Sequence, residues 1–176
     1  MSIIPIRTLG DPVLKETCRD VEVFDAFLRH LSEDMLETMY HAPGVGLAAP
    51  QIGLSLRLFV FDPGPEHGTG PGAVANPVLS DMDGEQTDEE GCLSIPNLYF
   101  PTTRAMRVRV SGRDVEGRPI SLEGEGLLAR IFQHETDHVN GMLFIDRLGE
   151  EDRRRAMAEI RNRELTRSTR WRRDPR

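Results

Sequence analysis

Apolar side chains recur at intervals of three and four residues in the segment around and after Asp25. This spacing is typical of one face of an α-helix, and it comprises Phe24, Phe27, Leu28, Leu31, Met35 and Met39. Asp25 is a residue type that caps helix N-termini. Pro43 and Gly44 stop helices, so the pattern predicts a helix that ends near His41.

Two other patterns predict strands in the middle of the chain. Residues 56–61 form a short apolar run typical of a buried strand, and in residues 106–110 apolar side chains alternate with arginines. Residues 119–122 can return as a strand partner after a turn at 113–118. Seven of the twelve residues in 62–73 are Gly or Pro, which predicts an exposed loop rather than a domain boundary.

A second helix is predicted to run to Asn140 and Gly141, a natural C-terminal cap. One face of it carries four apolar residues: Leu127, Leu128, Ile131 and Phe132. A last, charged helix is predicted to begin near Glu150. Strands in the middle with helices at both ends predict a single α+β domain, in which mixed or antiparallel sheets pack around the second helix. We assign residues 1–149 to this domain and residues 150–176 to an arginine-rich C-terminal helix and tail.

The net charge of −7 is unevenly distributed. Residues 150–176 carry ten Arg and six acidic side chains, a balance of +4 against −11 for the rest of the chain. Contact with nucleic acid is therefore restricted to this tail, and no DNA partner is expected. No apolar run approaches the about 20 residues of a membrane span, and the start is unlike a secretory signal. With Cys18 and Cys92 as the two cysteines, the composition indicates a cytoplasmic protein without a membrane partner.

The clearest chemical signal is a pair of histidines four residues apart in the second predicted helix. His134 and His138 project from the same helix face there, so both imidazoles can reach one metal ion. Leu127 and Ile131 share that face and would bury the site against the core. The two histidines predict a metal site.

A catalytic metal centre of this kind usually has three protein ligands, and spacing alone leaves the third open. The long metalloprotease pattern requires a histidine where this chain has Phe144. Glu159 is one candidate, although it lies in an arginine-dense segment. Cys92 is the other, because its thiolate binds metals well, although an isolated cysteine is more often a small buried hydrophobe.

A third segment, residues 44–53, is small and apolar except for Gln51. Its two glycines, Gly44 and Gly46, permit close approach of a ligand. The sequence allows two interpretations of Gln51. It is either a surface residue at a helix start or an amide that donates to a reacting carbonyl oxygen.

Together the three segments resemble the peptide deformylase family. That family is marked by Gly-x-Gly-Leu-Ala-Ala-x-Gln, by Glu-Gly-Cys-Leu-Ser and by Gln-His-Glu-x-Asp-His. This chain has all three in the same order, at residues 44–51, 90–94 and 133–138. The resemblance extends to about Leu148, and it implies that Cys92 is the third ligand.

The resemblance implies a hydrolase that removes the formyl group from the N-terminal formyl-methionine of new polypeptides and releases formate. Cys92, His134 and His138 would bind one divalent metal, Fe(II) first, with Zn(II), Ni(II) or Co(II) as alternatives. Metal-bound hydroxide would attack the formyl carbon, with Glu135 as general base and then general acid.

The resemblance also implies roles for residues around the metal. Gln51 and the backbone N–H of Leu93 would hold the oxyanion. Six further residues are predicted to bind substrate: Gly44, Val45, Gly46, Glu90, Leu127 and Ile131. Asp137 is predicted either to orient a histidine ring or to be a solvated helix carboxylate.

Two rival functions share part of this signal. A zinc endoprotease would share the helix motif, but it leaves the Cys92 and Gln51 segments unexplained. A non-catalytic metal-storing or RNA-associated protein would use the basic tail and would not need Glu135. The predicted partners are nascent formyl-methionyl polypeptides in the bacterial cytoplasm. Residues 150–176 have two interpretations: they either contact the ribosome or form a solvated, partly disordered terminus.

Overall fold

A five-stranded sheet and a separate two-stranded hairpin surround one central helix in the computed structural model, which describes residues 2–67 and 69–171 and side chains as far as Arg163. The strands are β1 (Gly46–Ala48), β2 (Leu58–Phe61), β3 (Gly72–Asp83), β4 (Gln86–Cys92), β5 (Ile95–Arg104), β6 (Arg107–Arg113) and β7 (Pro119–Glu125). The helices are α1 (Ala26–His41), α2 (Leu127–Val139) and α3 (Glu150–Trp171). The predicted α+β class is confirmed.

Helix α1 confirms the first predicted helix. The Asp25 carboxylate accepts a hydrogen bond of 3.1 Å from the backbone N–H of Leu28, and the helix ends at His41. The apolar residues that it buries are Leu28, Leu31, Met35 and Met39. The prediction was wrong for Phe27, which is 66% exposed because the buried face begins one position later.

The large sheet is antiparallel, in the order β1-β2-β3-β6-β7. All four residues of β2 are buried, as its apolar run predicts, and Val108 and Val110 point into the core from β6. β7 is the predicted return strand. The Gly- and Pro-rich loop is shorter than predicted, because Gly72 already pairs with Phe61.

The hairpin of β4 and β5 and the long strand β3 are elements that the sequence pattern did not predict. The buried positions of the hairpin include Gln86, Glu90, Thr102 and Arg104, so polar residues occupy the face that is normally apolar. Strand prediction depends on the alternation of apolar and polar residues, and that alternation is lost here.

Helix α2 is the centre of the molecule. Every residue from Leu128 to Val139 is buried, and the Phe132 ring packs against Phe61 with ring centroids 5.1 Å apart. The helix ends as predicted, since Gly141 has φ +75°, a conformation that glycine adopts without strain.

Helix α3 begins at Glu150 as predicted. Ala156 on this helix is fully buried, in a cluster that includes Phe100 and Leu148, so the start of α3 packs on the core. Residues 172–176 of the predicted tail lie outside the described residues, and the boundary at residue 149 stays a prediction. Among the described residues, none of the helices combines the length and apolar character needed to cross a bilayer.

Candidate active site

Three atoms of residue types that bind metals converge between α2 and the hairpin. Nε2 of His138 lies 3.3 Å from Sγ of Cys92 and 3.2 Å from Nε2 of His134. All three atoms lie within 4.8 Å of one another. Bonds of about 2.0–2.3 Å in a tetrahedral site separate neighbouring ligand atoms by about 3.3–3.6 Å. The donor set and its spacing therefore fit one metal ion.

Two elements place the three candidate ligands. His134 and His138 lie one helical turn apart on α2, with ring centroids separated by 4.9 Å. Cys92 is the last residue of β4, at the point where the strand register shifts. Phe144 occupies the position where a metalloprotease would have its third histidine. Its ring stacks on the ring of His134, with ring centroids 6.5 Å apart.

Glu90 fixes the orientation of His134. Its Oε1 atom lies 2.6 Å from Nδ1 of His134, and Arg104 and Arg130 each donate to the same carboxylate at 2.6 Å. Burial alone would raise the pKa of Glu90, but the hydrogen bonds from His134 and Arg104 outweigh it and hold the pKa far below its usual range. The ionised carboxylate accepts only, so Nδ1 donates and the lone pair of Nε2 faces the cluster.

The structure contradicts both roles that were predicted for Asp137. It is buried rather than solvated, and its carboxylate accepts hydrogen bonds from Arg104 at 2.6 Å and from Arg147 at 2.5 Å. The carboxylate that holds a histidine ring is that of Glu90 instead.

Gln51 is 1% exposed, so its interpretation as a surface residue was wrong. Its Oε1 atom accepts a hydrogen bond of 2.8 Å from the backbone N–H of Ala48. This bond turns the amide nitrogen toward the cluster, 3.6 Å from Sγ of Cys92 and 3.3 Å from Oγ of Ser94. The side chain is therefore held with its donor facing the metal ligands.

Glu135 lies on α2 beside β1 and is buried. Burial raises the pKa of this carboxyl group to about 7. Its Oε2 atom is without a hydrogen-bond partner among the described residues. The backbone of Gly46 makes room for it, since a Cβ atom there would lie 2.8 Å from Cδ of Glu135.

A cleft of about 580 Å³ opens above these groups. Its lining includes Gln51, Cys92, His134 and Glu135, whereas His138 lies beneath it. The residues predicted to bind substrate or oxyanion also line it: Gly44, Val45, Gly46, Glu90, Leu93, Leu127 and Ile131. One cleft thus brings together the three sequence segments.

Comparison with known proteins identifies the family of this arrangement. The sequence profile of the polypeptide deformylases matches residues 3–154. The chain is 51% identical to a peptide deformylase of Acidothermus cellulolyticus over 164 residues, which cover 93% of this chain and 89% of the relative. The chain belongs to the peptide deformylase family. It is therefore a hydrolase of protein biosynthesis that removes the N-terminal formyl group of nascent polypeptides.

Solved deformylase structures have the same fold. The deformylase of Legionella pneumophila superposes with a TM-score of 0.85 at 42% identity, over 99% of this chain and 100% of that one. The deformylase of Synechococcus elongatus in complex with actinonin superposes with a TM-score of 0.83 at 40% identity. The match covers 92% of this chain and 87% of that one. The resemblance noted from the three motifs is confirmed.

Two buried arginines of this deformylase site escaped the sequence reasoning. Arg104 and Arg130 neutralise Glu90, and Arg104 also binds Asp137. Arg130 lies four residues before His134, so helical spacing could have placed it on the ligand face. Arg104 lies on β5, and no local signal connects it with the site.

Proposed function

We propose that Cys92, His134 and His138 hold one divalent metal ion and that Glu135 carries the proton in formyl hydrolysis. The observation that carries this proposal is a group of three ligand atoms beside a buried carboxylate. A metal held there would supply Lewis acidity, which activates water and polarises the formyl carbonyl. The residues of the protein itself carry out proton transfer and stabilise the oxyanion.

Glu135 accepts the proton of the attacking water and then delivers it to the departing amine. The orphaned Oε2 atom supports this role, because a buried oxygen without a protein partner can bind a water or a substrate N–H. It lines the cleft together with Cys92 and His134, two of the proposed ligands, which also supports this role.

Gln51 and the backbone N–H of Leu93 stabilise the oxyanion in this proposal. The bond from Ala48 to Gln51 supports it, because a donor that is already oriented needs no reorganisation during the reaction. Loss of one such donor typically costs about 2.7–4 kcal/mol of transition-state stabilisation.

Val45, Leu127 and Ile131 form the pocket for the methionine side chain, and Gly44 and Gly46 let the substrate backbone approach. All five line the cleft, which supports the assignment. We further infer that this cleft binds actinonin, as the Synechococcus elongatus relative does.

Glu90 was predicted to bind substrate, and we propose that it acts on substrate only through His134. Its carboxylate is 4% exposed and already accepts from His134, Arg104 and Arg130. Such a carboxylate positions a ligand histidine and raises its basicity.

Formate release from formyl-Met-Ala-Ser tests the function. The purified protein is expected to release formate from this peptide and to leave acetyl-Met-Ala-Ser unchanged. An internal peptide of the same composition should stay intact, because the proposal assigns no endoprotease activity. Cleavage of that internal peptide, or no formate from the formylated one, would contradict the proposal.

We propose Fe(II) as the physiological metal. A thiolate with two imidazoles binds several divalent metals, and availability then decides among them. Protein loaded with Fe(II), Ni(II), Co(II) or Zn(II) is assayed with and without exposure to air. We expect the iron form to lose activity in air and the nickel form to keep it. A zinc form faster than an air-stable iron form would contradict this assignment.

We also propose that the protein acts in the bacterial cytoplasm and contacts ribosomal RNA through the tail at 150–176. The local charge of +4 supports this. Because Ala156 packs in the core, a chain that ends at Arg163 is a safer test than deletion from Glu150. Ribosome co-sedimentation should weaken for the shortened chain, most clearly at low salt, because added salt screens contacts between arginines and phosphates. Equal binding of both chains would exclude a contact through residues 164–176.

A further inference from the structure

The hairpin of β4 and β5 has an irregular ladder beside the cleft. The register passes from the pair Gly91–Tyr99 directly to the pair Cys92–Ile95, so residues 96–98 bulge out of β5. Asn97 at the tip has φ +62°, an uncommon conformation for a residue with a side chain. A bulge leaves backbone groups unpaired within the ladder, so these groups bond to other partners.

Arg163 on α3 provides such contacts. Its Nη1 atom donates to the backbone carbonyl of Pro96 at 3.0 Å, and its Nη2 atom donates to that of Asn97 at 2.8 Å. The planar guanidinium holds two acceptors in a fixed geometry, which a flexible lysine cannot reproduce. Its remaining described contact is an ion pair with Glu159 at 3.8 Å.

Other contacts keep α3 seated against the same strand. The guanidinium of Arg155 lies 5.7 Å above the Phe100 ring, and Ala156 is buried in the cluster that contains Ile95. The two carbonyls are therefore held from a helix that is itself anchored on the hairpin.

The bulge forms part of the wall of the active-site cleft. Pro96, Asn97 and Tyr99 all line the cleft, and we call these three residues the outer wall. Tyr99 is 60% exposed and lies against Gly91, where a Cβ atom would come within 2.5 Å of its ring. Tyr99 directly follows the bulge, so its position depends on the backbone conformation of residues 96–98.

We propose that Arg163 is a positioning residue that sets the outer wall and thereby the affinity for the substrate residues after the formyl-methionine. The inference rests on the deformylase function stated above. The formyl group reacts at the ligand cluster, so the following residues of the peptide occupy the rest of the cleft, where the outer wall lies. Arg163 contacts the backbone of the outer wall and is not among the residues that line the cleft.

The test compares Arg163→Gln and Arg163→Lys with the control Arg154→Gln, which removes an equal charge from an exposed position of α3. Each variant is assayed with formyl-Met-Ala-Ser and with formyl-methionine amide, which has no residue after the methionine. For Arg163→Gln we expect KM to rise about tenfold with the tripeptide only and kcat to stay within about twofold. Arg163→Lys should fall between wild type and Arg163→Gln, and Arg154→Gln should match wild type.

Two results would overturn the inference. One is a KM of Arg163→Gln for the tripeptide equal to that of Arg154→Gln. The other is an equal loss of kcat with both substrates, which would indicate general damage. Thermal unfolding of each variant checks that it is folded. If Arg163→Gln does not fold, the KM of Arg163→Lys is compared with that of Arg154→Gln instead. No formate release by the wild type would instead disprove the function itself.

Discussion

At the scale of single residues, the Glu90 carboxylate shows how a charge is buried beside the proposed metal ligands. It is surrounded by His134, Arg104 and Arg130, and Arg104 is shared with Asp137. Removing one partner from such a buried group leaves an uncompensated charge, which typically costs about 3–5 kcal/mol. The network therefore ties ligand geometry to the stability of the core.

Glu135→Gln separates catalysis from metal binding. Glutamine keeps the size of the side chain but cannot accept the proton, so we expect the rate of formate release to fall by about 10²–10⁴-fold. The metal content should stay unchanged, because the proposed ligands are Cys92, His134 and His138 and not Glu135. Elemental analysis and a formate assay on one preparation check both points. Glu151→Gln, at an exposed position of α3, is the control, and a metal-free Glu135→Gln would contradict the assigned role.

The two cysteines should differ in reactivity. Cys18 is buried, and burial raises the pKa of its thiol, so we expect it to resist iodoacetamide with or without metal. Cys92 lines the cleft and should react at least about tenfold faster once a chelator has removed the metal. Peptide mass spectrometry before and after chelation measures both. Equal labelling of Cys92 in the two states would exclude it as a ligand.

At the scale of elements, the site depends on how closely β1 approaches α2. Gly46 faces Glu135 with no side chain between them, and Gly124 of β7 lies against α2 in a similar way. Both strands pack on a helix that is buried along nearly its whole length. Glycines at these two points let the helix pack closely against the sheet.

Gly46→Ala should damage activity more than stability. The added Cβ would collide with the end of the Glu135 side chain rather than with backbone, so the carboxylate can move aside while the fold is kept. We expect the rate of formate release to fall at least about tenfold and the free energy of unfolding to fall by about 1–3 kcal/mol. Kinetics and urea denaturation measure the two effects.

Gly70→Ala is the matched control, because nothing lies within 4 Å of a Cβ atom at that position. It should match wild type in both measurements. If Gly46→Ala turned over formyl peptide at the wild-type rate, the close packing of Gly46 on Glu135 would have no part in catalysis.

At the scale of the whole molecule, Asp146 connects the two ends of the chain. Its carboxylate accepts a hydrogen bond from Lys15 at 2.5 Å and one from the backbone N–H of Leu143 at 2.9 Å, and it pairs with Arg153 of α3 at 3.3 Å. Burial alone would raise the pKa of Asp146, but the bonds from Lys15 and Leu143 outweigh it and lower the pKa.

Asp146→Asn should lower the free energy of unfolding by about 1–3 kcal/mol at pH 7. A carboxyl group whose folded pKa is depressed stabilises the fold fully above its unfolded pKa of about 3.9. That contribution is lost as pH falls through the folded pKa, so wild type and variant should converge in acid. Urea denaturation from pH 7 to pH 3, with chelator throughout, measures this.

Asp83→Asn serves as the control, since Asp83 is exposed and pairs with Arg107 at 3.4 Å. A surface pair of this kind contributes at most about 1 kcal/mol, so this variant should stay near wild type. A difference between wild type and Asp146→Asn that grew in acid would contradict the assigned sign.

The sequence by itself determined the features that depend on neighbouring residues. The cap at Asp25, the end of α2 at Gly141 and the shared face of His134 and His138 all follow from spacings within a few turns of helix. The order of the three motifs determined the family. The resemblance, rather than the spacing, pointed to Cys92 as the third ligand.

Only the tertiary structure decided which distant groups meet. Glu90 and His134 are 44 positions apart and Arg163 and Pro96 are 67 apart, so no local pattern connects either pair. The hairpin was missed for the same reason. Part of its buried face is polar, because Glu90 and Arg104 pair with each other and with His134 and Asp137 of α2. At those positions no apolar side chain maintains the alternation that reveals a strand.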